Sequence, residues 1–107
     1  MIYVREQRAL RIVASCKGGY VALDFYDRMD VAKMEGGTNF PLRKHDFEQA
    51  MAILEKEGLV ASTLERLDGV LYALTESGRR MMENEGFNFD EEAVAKTRRV
   101  FGVHAPV

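Results

Sequence analysis

The stretch from Phe47 to Met82 constrains the fold of this 107-residue chain more than any other part. It reads FEQAMAILEKEGLVASTLERLDGVLYALTESGRRMM. The spacing of its apolar residues predicts a helix, a strand, a tight turn, a second strand and another helix, in that order. Strands and helices must bury their apolar faces against one another. The sequence therefore predicts an α+β fold that is mainly helical and contains a small β-hairpin.

The first helix of this stretch is predicted to span about residues 42–57. Thr38, Asn39 and Pro41 form a helix-start cluster ahead of it, because a polar cap is often followed by a proline in the first turn. Gly58 suits the left-handed conformation that commonly follows the end of a helix. The buried face is predicted from apolar residues at helical spacing, namely Phe47, Ala50, Met51 and Leu54.

The hairpin is predicted between residues 59 and 74. Residues 59–66 alternate as a strand does, Asp68 and Gly69 form a turn signal, and residues 70–74 return. Thr75 is a suitable N-cap for a fourth helix ending near Gly86. A last helix is predicted from Asp90 to about Phe101, since acidic residues begin it and basic residues end it.

The N-terminal third of the chain is less regular. A helix is predicted over residues 5–17, ended by Gly18 and Gly19. A short strand from Tyr20 to Leu23 and a helix from Asp24, as its N-cap, to Met34 are predicted next. We divide the chain into a domain of residues 1–86 and a C-terminal helix and tail, residues 87–107, which is a candidate dimerisation element.

Two short runs resemble a known family of proteins. They are LEKEGLV (Leu54 to Val60) and YALTESGRRMM (Tyr72 to Met82). Together they are similar to the helix–wing–helix signature of MarR-type and PadR-type transcriptional regulators, over about a third of the chain. The resemblance implies a winged helix-turn-helix fold, double-stranded DNA as the partner, a homodimer and a role in transcription regulation. It implies no cofactor, and it leaves any small-molecule effector unknown.

In a helix-turn-helix protein, the N-terminal part of the recognition helix lies in the major groove of DNA. Here that part carries Arg43, Lys44, His45 and Gln49. Arginine and lysine contact guanine or phosphate, and glutamine pairs with adenine. The resemblance therefore implies that these four residues bind DNA, and that Asn39 caps the helix or contacts the DNA backbone.

The resemblance also implies a role for the hairpin, or wing, in which Arg66 is the basic residue that would contact DNA. The alternative is a surface arginine that pairs with Glu65 or Asp68. Basic residues on an exposed helix face are commonly just solvated, and Asp46 and Glu48 would repel phosphate. The rival hypothesis is therefore a winged-helix protein–protein interaction module without DNA binding.

Two further alternatives concern the ends of the chain. The basic residues Arg5, Arg8 and Arg11 either contact the DNA backbone or line a dimer contact against acidic residues. Those acidic residues are Asp24, Asp27 and Asp30. The apolar residues of the last helix either form a dimer interface or fold back onto their own domain.

Composition sets the remaining expectations. The formal net charge of −2 lowers the expectation of DNA binding without excluding it, since basic residues can gather on one face. No group of residues has the spacing of metal ligands or of a catalytic site, so we expect neither an enzyme nor a metal site. The lone Cys16 is expected to be a reduced, buried thiol. We see no signal peptide or membrane span and expect a cytoplasmic protein.

Overall fold

The computed structural model of the chain describes residues 2–16 and 19–101. Within these ranges it contains five α-helices, one 3-10 helix and three strands, an α+β arrangement. The elements are α1 (Val4–Ala14), β1 (Tyr20–Ala22), the 3-10 helix (Leu23–Arg28), α2 (Val31–Met34), α3 (Lys44–Lys56), β2 (Val60–Glu65), β3 (Gly69–Leu74), α4 (Glu76–Asn84) and α5 (Glu91–Phe101).

The three strands form one antiparallel sheet in the order β1-β3-β2. In the β2–β3 hairpin, Val60 pairs with Leu74 and Glu65 pairs with Gly69. Gly69 has a φ of 72°, the left-handed conformation that the Asp-Gly turn signal predicts. The short β1 extends the sheet on the other side of β3, with Val21 opposite Tyr72.

Helices cover the sheet on both faces. On one face, α1 and α3 bury the main core, in which the ring of Phe47 packs against the rings of Tyr26 and Tyr72, with centroids 4.7 and 6.2 Å away. On the other face, Leu71 and Ala73 pack against Phe101 of α5. Phe101 at the end of α5 is therefore buried within its own chain, whereas Ala93 and Val94 near the start of α5 are half-buried.

The second predicted helix, with Asp24 as its N-cap, is wrong. Residues 23–28 form a 3-10 helix, Met29 is extended, and Asp30 caps the short α2 by accepting a hydrogen bond from the Lys33 amide at 3.3 Å. Leu23 and Tyr26 are three residues apart and both buried. This spacing suits three residues per turn better than 3.6.

Two other predicted boundaries shift. The first helix ends at Ala14, and the predicted end at residue 17 lies outside the described residues. The helix predicted over about 42–57 begins at Lys44, with Arg43 at the N-cap position. The prediction that Asn39 caps it is wrong, because Arg43 occupies the N-cap position and Asn39 lies in a bend four residues earlier.

Candidate nucleic-acid interface

The most exposed face of α3 is a stripe of four residues at helical spacing: His45, Gln49, Ala52 and Lys56. It lies opposite the buried side, which carries Phe47, Ala50, Met51 and Leu54. We call these four residues the outer stripe. The outer stripe itself contains no carboxylate, but the exposed Glu48 and Glu55 lie directly beside it.

Hydrogen bonds join the outer stripe to α1. The guanidinium of Arg5 donates to Oε1 of Gln49 at 2.9 Å, and Nε2 of Gln49 lies 3.1 Å from Nε2 of His45. These three side chains form an exposed row. These two hydrogen bonds orient the side chain of Gln49. To bind an adenine, Gln49 would have to exchange them for hydrogen bonds to the base.

The first turn of α3 carries two cations that make no ion pair within the described residues. Arg43 is exposed and sits at the N-cap position, and Lys44 is half-exposed. A guanidinium or ammonium that has no protein partner can bind phosphate without first breaking a salt bridge. The N-terminal end of α3 therefore offers two cations to an anion, although Asp27 and Asp30 line the same surface pocket as these cations.

Three side chains hold the segment that precedes Arg43. The carboxylate of Glu35 accepts from Nε of Arg8 at 2.5 Å and from the amide of Leu42 at 2.6 Å. The other arm of Arg8 donates to the carbonyl of Phe40 at 2.6 Å. The hydroxyl of Tyr26 donates to the carbonyl of Leu42 at 2.5 Å. We call Arg8, Tyr26 and Glu35 the clasp.

Burial strengthens the hydrogen bonds of the clasp. The side chain of Glu35 is only 4% exposed, so its bonds to Arg8 and Leu42 compete little with water. The pKa of Arg8 is raised, chiefly by its hydrogen bond to Glu35, and burial raises the pKa of the Tyr26 hydroxyl. The clasp thus fixes where the chain enters α3 and where Arg43 stands.

Three carboxylates of α3 flank the outer stripe, Asp46 on one side and Glu48 and Glu55 on the other. Asp46 lies on the side of α1, where its charge contributes to the raised pKa of Arg8, after the larger effect of Glu35. Glu48 lies on the side of the sheet, where its charge adds to the effect of burial in raising the pKa of Tyr72. None of the three belongs to the outer stripe, but Glu48 and Glu55 are exposed next to it.

The hairpin loop carries Arg66, which is exposed and makes no ion pair within the described residues, so pairing with Glu65 or Asp68 is not observed. The strand β2 contacts α3 through Ser62, whose hydroxyl donates to Glu55 near the end of α3 at 3.0 Å. The loop packs beside the 3-10 helix, where Leu67 and Asp68 line a groove with Phe25 and Arg28.

The other predicted basic residues are engaged within the chain. Arg8 belongs to the clasp, and Arg11 pairs with Glu85 at 3.1 Å. Asn39 is exposed in a bend before α3. The structure thus brings together Arg43, Lys44, His45 and Gln49. It adds Lys56 and also Arg5, whose guanidinium pairs with Glu6 at 3.1 Å, and the sequence analysis assigned neither to this face. Lys56 shares the helical spacing of His45 and Gln49, whereas no sequence signal places Arg5 beside Gln49.

The residues that carry the family resemblance have structural roles. Thr75 caps α4 by accepting from the amide of Gly78 at 3.1 Å, and its hydroxyl donates to the carbonyl of Gly58 at 2.6 Å. Gly58 has a φ of 73° at the end of α3, as predicted. A side chain at Gly78 would overlap the carbonyl of Leu59. These residues join α4 to the α3–β2 junction and do not lie on the outer stripe.

Comparison of the chain with protein-family models, curated proteins and solved structures finds no match. Within residues 2–16 and 19–101, no cluster of three or more His, Cys, Asp or Glu residues is placed to hold a metal ion. The same part of the chain has no helix long and apolar enough to cross a membrane.

Proposed function

We propose that this protein is a winged helix-turn-helix DNA-binding protein that acts as a homodimeric transcriptional regulator. The N-terminal half of α3 reads the major groove, and the wing, formed by β2, β3 and the loop with Arg66, contacts the DNA backbone. The element order α1-β1-α2-α3-β2-β3 and the sheet order β1-β3-β2 are compatible with this layout.

One observation carries the proposal: Arg43 and Lys44, two cations that make no ion pair in the part of the chain that the structure describes, stand at the start of α3, whose entry the clasp fixes. A recognition helix needs such an arrangement, because base readout depends on a fixed register between the helix and the phosphates. His45 and Gln49 follow on the exposed face of α3, which is the face that would enter the major groove.

The test is selection of bound sequences from a random pool of duplex DNA at near-physiological salt. The wild type is run beside a double variant, Arg43→Ala with Lys44→Ala, which leaves the core intact because neither residue belongs to it. We expect the wild type alone to enrich a motif, and a palindromic motif if the protein binds as a homodimer. No enrichment by a folded wild type would overturn the proposal.

A specific observation favours a second function, that of a protein–protein interaction module. Near the hairpin loop, three large apolar side chains stand in solvent: Leu64 is 77% exposed, Leu67 94% and Phe25 51%. Exposed apolar groups close together are typical of protein interfaces. Salt separates the two functions, because binding through several phosphates weakens steeply as salt rises and binding through apolar contacts does not.

A further inference from the structure

The sheet has an edge strand on each side, and the two differ in length. β1 has three residues and leads directly into the 3-10 helix, whereas β2 (Val60–Glu65) has six. β2 pairs with β3 on one side only. The backbone groups that it directs to its other side make no backbone hydrogen bond within residues 2–16 and 19–101. We call this other side the β2 edge.

The β2 edge lacks the features by which natural proteins keep edge strands from pairing. Such strands are commonly short, interrupted by a bulge, or protected by lysine or proline. β2 reads VASTLE, which contains neither of these residues, and its register with β3 is continuous over six pairs, so it has no bulge. Its single charged residue is Glu65, at its end. The β2 edge is therefore suited to pair with another extended chain.

A leucine beside the β2 edge offers an apolar contact. The hydroxyl of Ser62 donates to Glu55 of α3, so Ser62 lies on the sheet face against which α3 packs. Leu64 comes two residues later in the strand and shares that face. It is 77% exposed, although it belongs to a regular strand. A strand added beside β2 would cover Leu64 and remove its apolar surface from water.

The same face of the sheet is acidic beside Ser62. Tyr72 is the partner of Ser62 on β3, and the pKa of its hydroxyl is raised, first by burial and then by the charges of Glu48 and Glu55. Both carboxylates are exposed. The cations of α3 and of the hairpin loop make no contribution to this shift; they are Lys44, Lys56 and Arg66. A basic side chain placed next to Ser62 would therefore meet a negative potential.

We propose that the β2 edge binds an extended segment of a partner protein that carries an apolar and a basic residue two positions apart. The segment adds a fourth strand to the sheet, held by backbone hydrogen bonds to β2. Its apolar side chain covers Leu64, and its basic side chain lies toward Glu48 and Glu55. Arg66 lies in the loop beyond the end of β2, so this site is separate from the proposed DNA contact and its test needs no DNA.

A labelled heptapeptide, Thr-Val-Thr-Arg-Thr-Val-Thr, tests the proposal on the full chain by fluorescence anisotropy. Its arginine and its valines share one face of a strand, so it fits β2 in either chain direction. We expect saturable binding of one peptide per chain. Replacement of the arginine by glutamate should weaken binding about tenfold. N-methylation of the backbone amides keeps every side chain but removes the donors to the β2 edge, and it should abolish binding.

Two exposed leucines provide a matched pair of variants. Leu64→Lys places a cation on the β2 edge and should weaken peptide binding about tenfold. Leu67→Lys makes the same change of charge in the loop and should leave binding unchanged. Leu64 is 77% exposed and Leu67 94%, so both variants should fold. Equal binding of the arginine and glutamate peptides, undiminished binding of the methylated peptide, equal effects of the two substitutions, or no binding at all would each overturn the proposal.

A second copy of the chain is the competing occupant of the β2 edge. In that case Leu64→Lys, but not Leu67→Lys, would convert dimers into monomers in light scattering, and the wild type would bind less peptide per chain as protein concentration rises. That result would also overturn the proposal. Peptide binding by the wild type, together with the same mass in solution for the wild type and both variants, is the expected result.

Discussion

Gly78 in the first turn of α4 lies directly against the carbonyl oxygen of Leu59, the residue that leads from α3 into β2. The same oxygen accepts a hydrogen bond from the amide of Thr75 at 3.1 Å. This contact fixes the distance between α4 and the hairpin. A Cβ atom at Gly78 would force the two elements apart.

Gly78→Ala should therefore lower the free energy of unfolding by about 1–3 kcal/mol, in spite of alanine's better helix propensity, because backbone atoms cannot yield as a flexible side chain can. Urea unfolding followed by circular dichroism measures this change. Ser77→Ala, at the neighbouring exposed position, should change stability by less than about 0.5 kcal/mol. Equal effects of the two variants would show that the contact with Leu59 is unimportant.

Glu35→Ala should cost about 2–3 kcal/mol of stability, because it leaves the Leu42 amide without its acceptor and the guanidinium of Arg8 without its counter-ion. The control is Glu85→Ala, which breaks the exposed pair with Arg11 and should cost about 0–1 kcal/mol. Thermal and urea unfolding measure both. If the two variants were equally stable, the clasp would not hold the entry to α3.

The salt dependence of DNA binding should change with the cations of α3. Each phosphate contact that is lost reduces the slope of log K against log salt by about 1. The double variant Arg43→Ala with Lys44→Ala should therefore lose about 2 units of slope as well as affinity. Lys96→Ala, an exposed cation of α5 without an ion pair in the described chain, should keep the slope of the wild type.

Phe101→Ala should destabilise the protein by about 3–5 kcal/mol, because it removes the ring that covers Leu71 and Ala73. If the protein is a homodimer, the variant should remain one. Its mass, measured by light scattering under conditions where it is folded, should equal that of the wild type. A variant of normal stability that dissociates into monomers would instead place Phe101 in the dimer interface.

The reactivity of Cys16 should depend on pH in a specific way. Burial raises the pKa of its thiol from 9.0 to about 11, so the reactive thiolate forms at higher pH in the folded protein than in the unfolded chain. The alkylation rate should have an apparent pKa near 11 in buffer and near 9 in urea. The raised pKa means that the contribution of Cys16 to stability is complete below pH 9 and is lost as pH rises toward 11.

Cys16→Ala isolates that contribution. The difference in unfolding free energy between wild type and variant should be constant below pH 9 and change between pH 9 and 11. Tyrosines titrate in the same range, but their effects cancel in the difference. A difference that stays constant up to pH 11 would show that the thiol is solvated.

The sequence by itself determined the elements whose signals are local. The apolar spacing of Phe47 and Leu54, the turn glycine Gly69 and the cap Thr75 each depend on a few neighbouring residues, and the structure confirms α3, the hairpin and α4 from them. The last helix follows in the same way. These signals established the α+β class and the order of the elements.

Only the tertiary structure decided where the chain enters α3. The start at Lys44 depends on Glu35 and Arg8, which come from elsewhere in the chain and hydrogen-bond to the backbone of Leu42 and Phe40. The 3-10 helix likewise depends on burial of Leu23 and Tyr26 against a core assembled from other elements.

The same holds for the candidate site and for α5. Arg5 reaches Gln49 across 44 positions of sequence, and Phe101 covers a sheet whose strands are formed far from it. Local spacing specifies which residues share a face of one element. It carries no information on which other element covers that face, because the choice is made by burial of apolar surface across the whole chain.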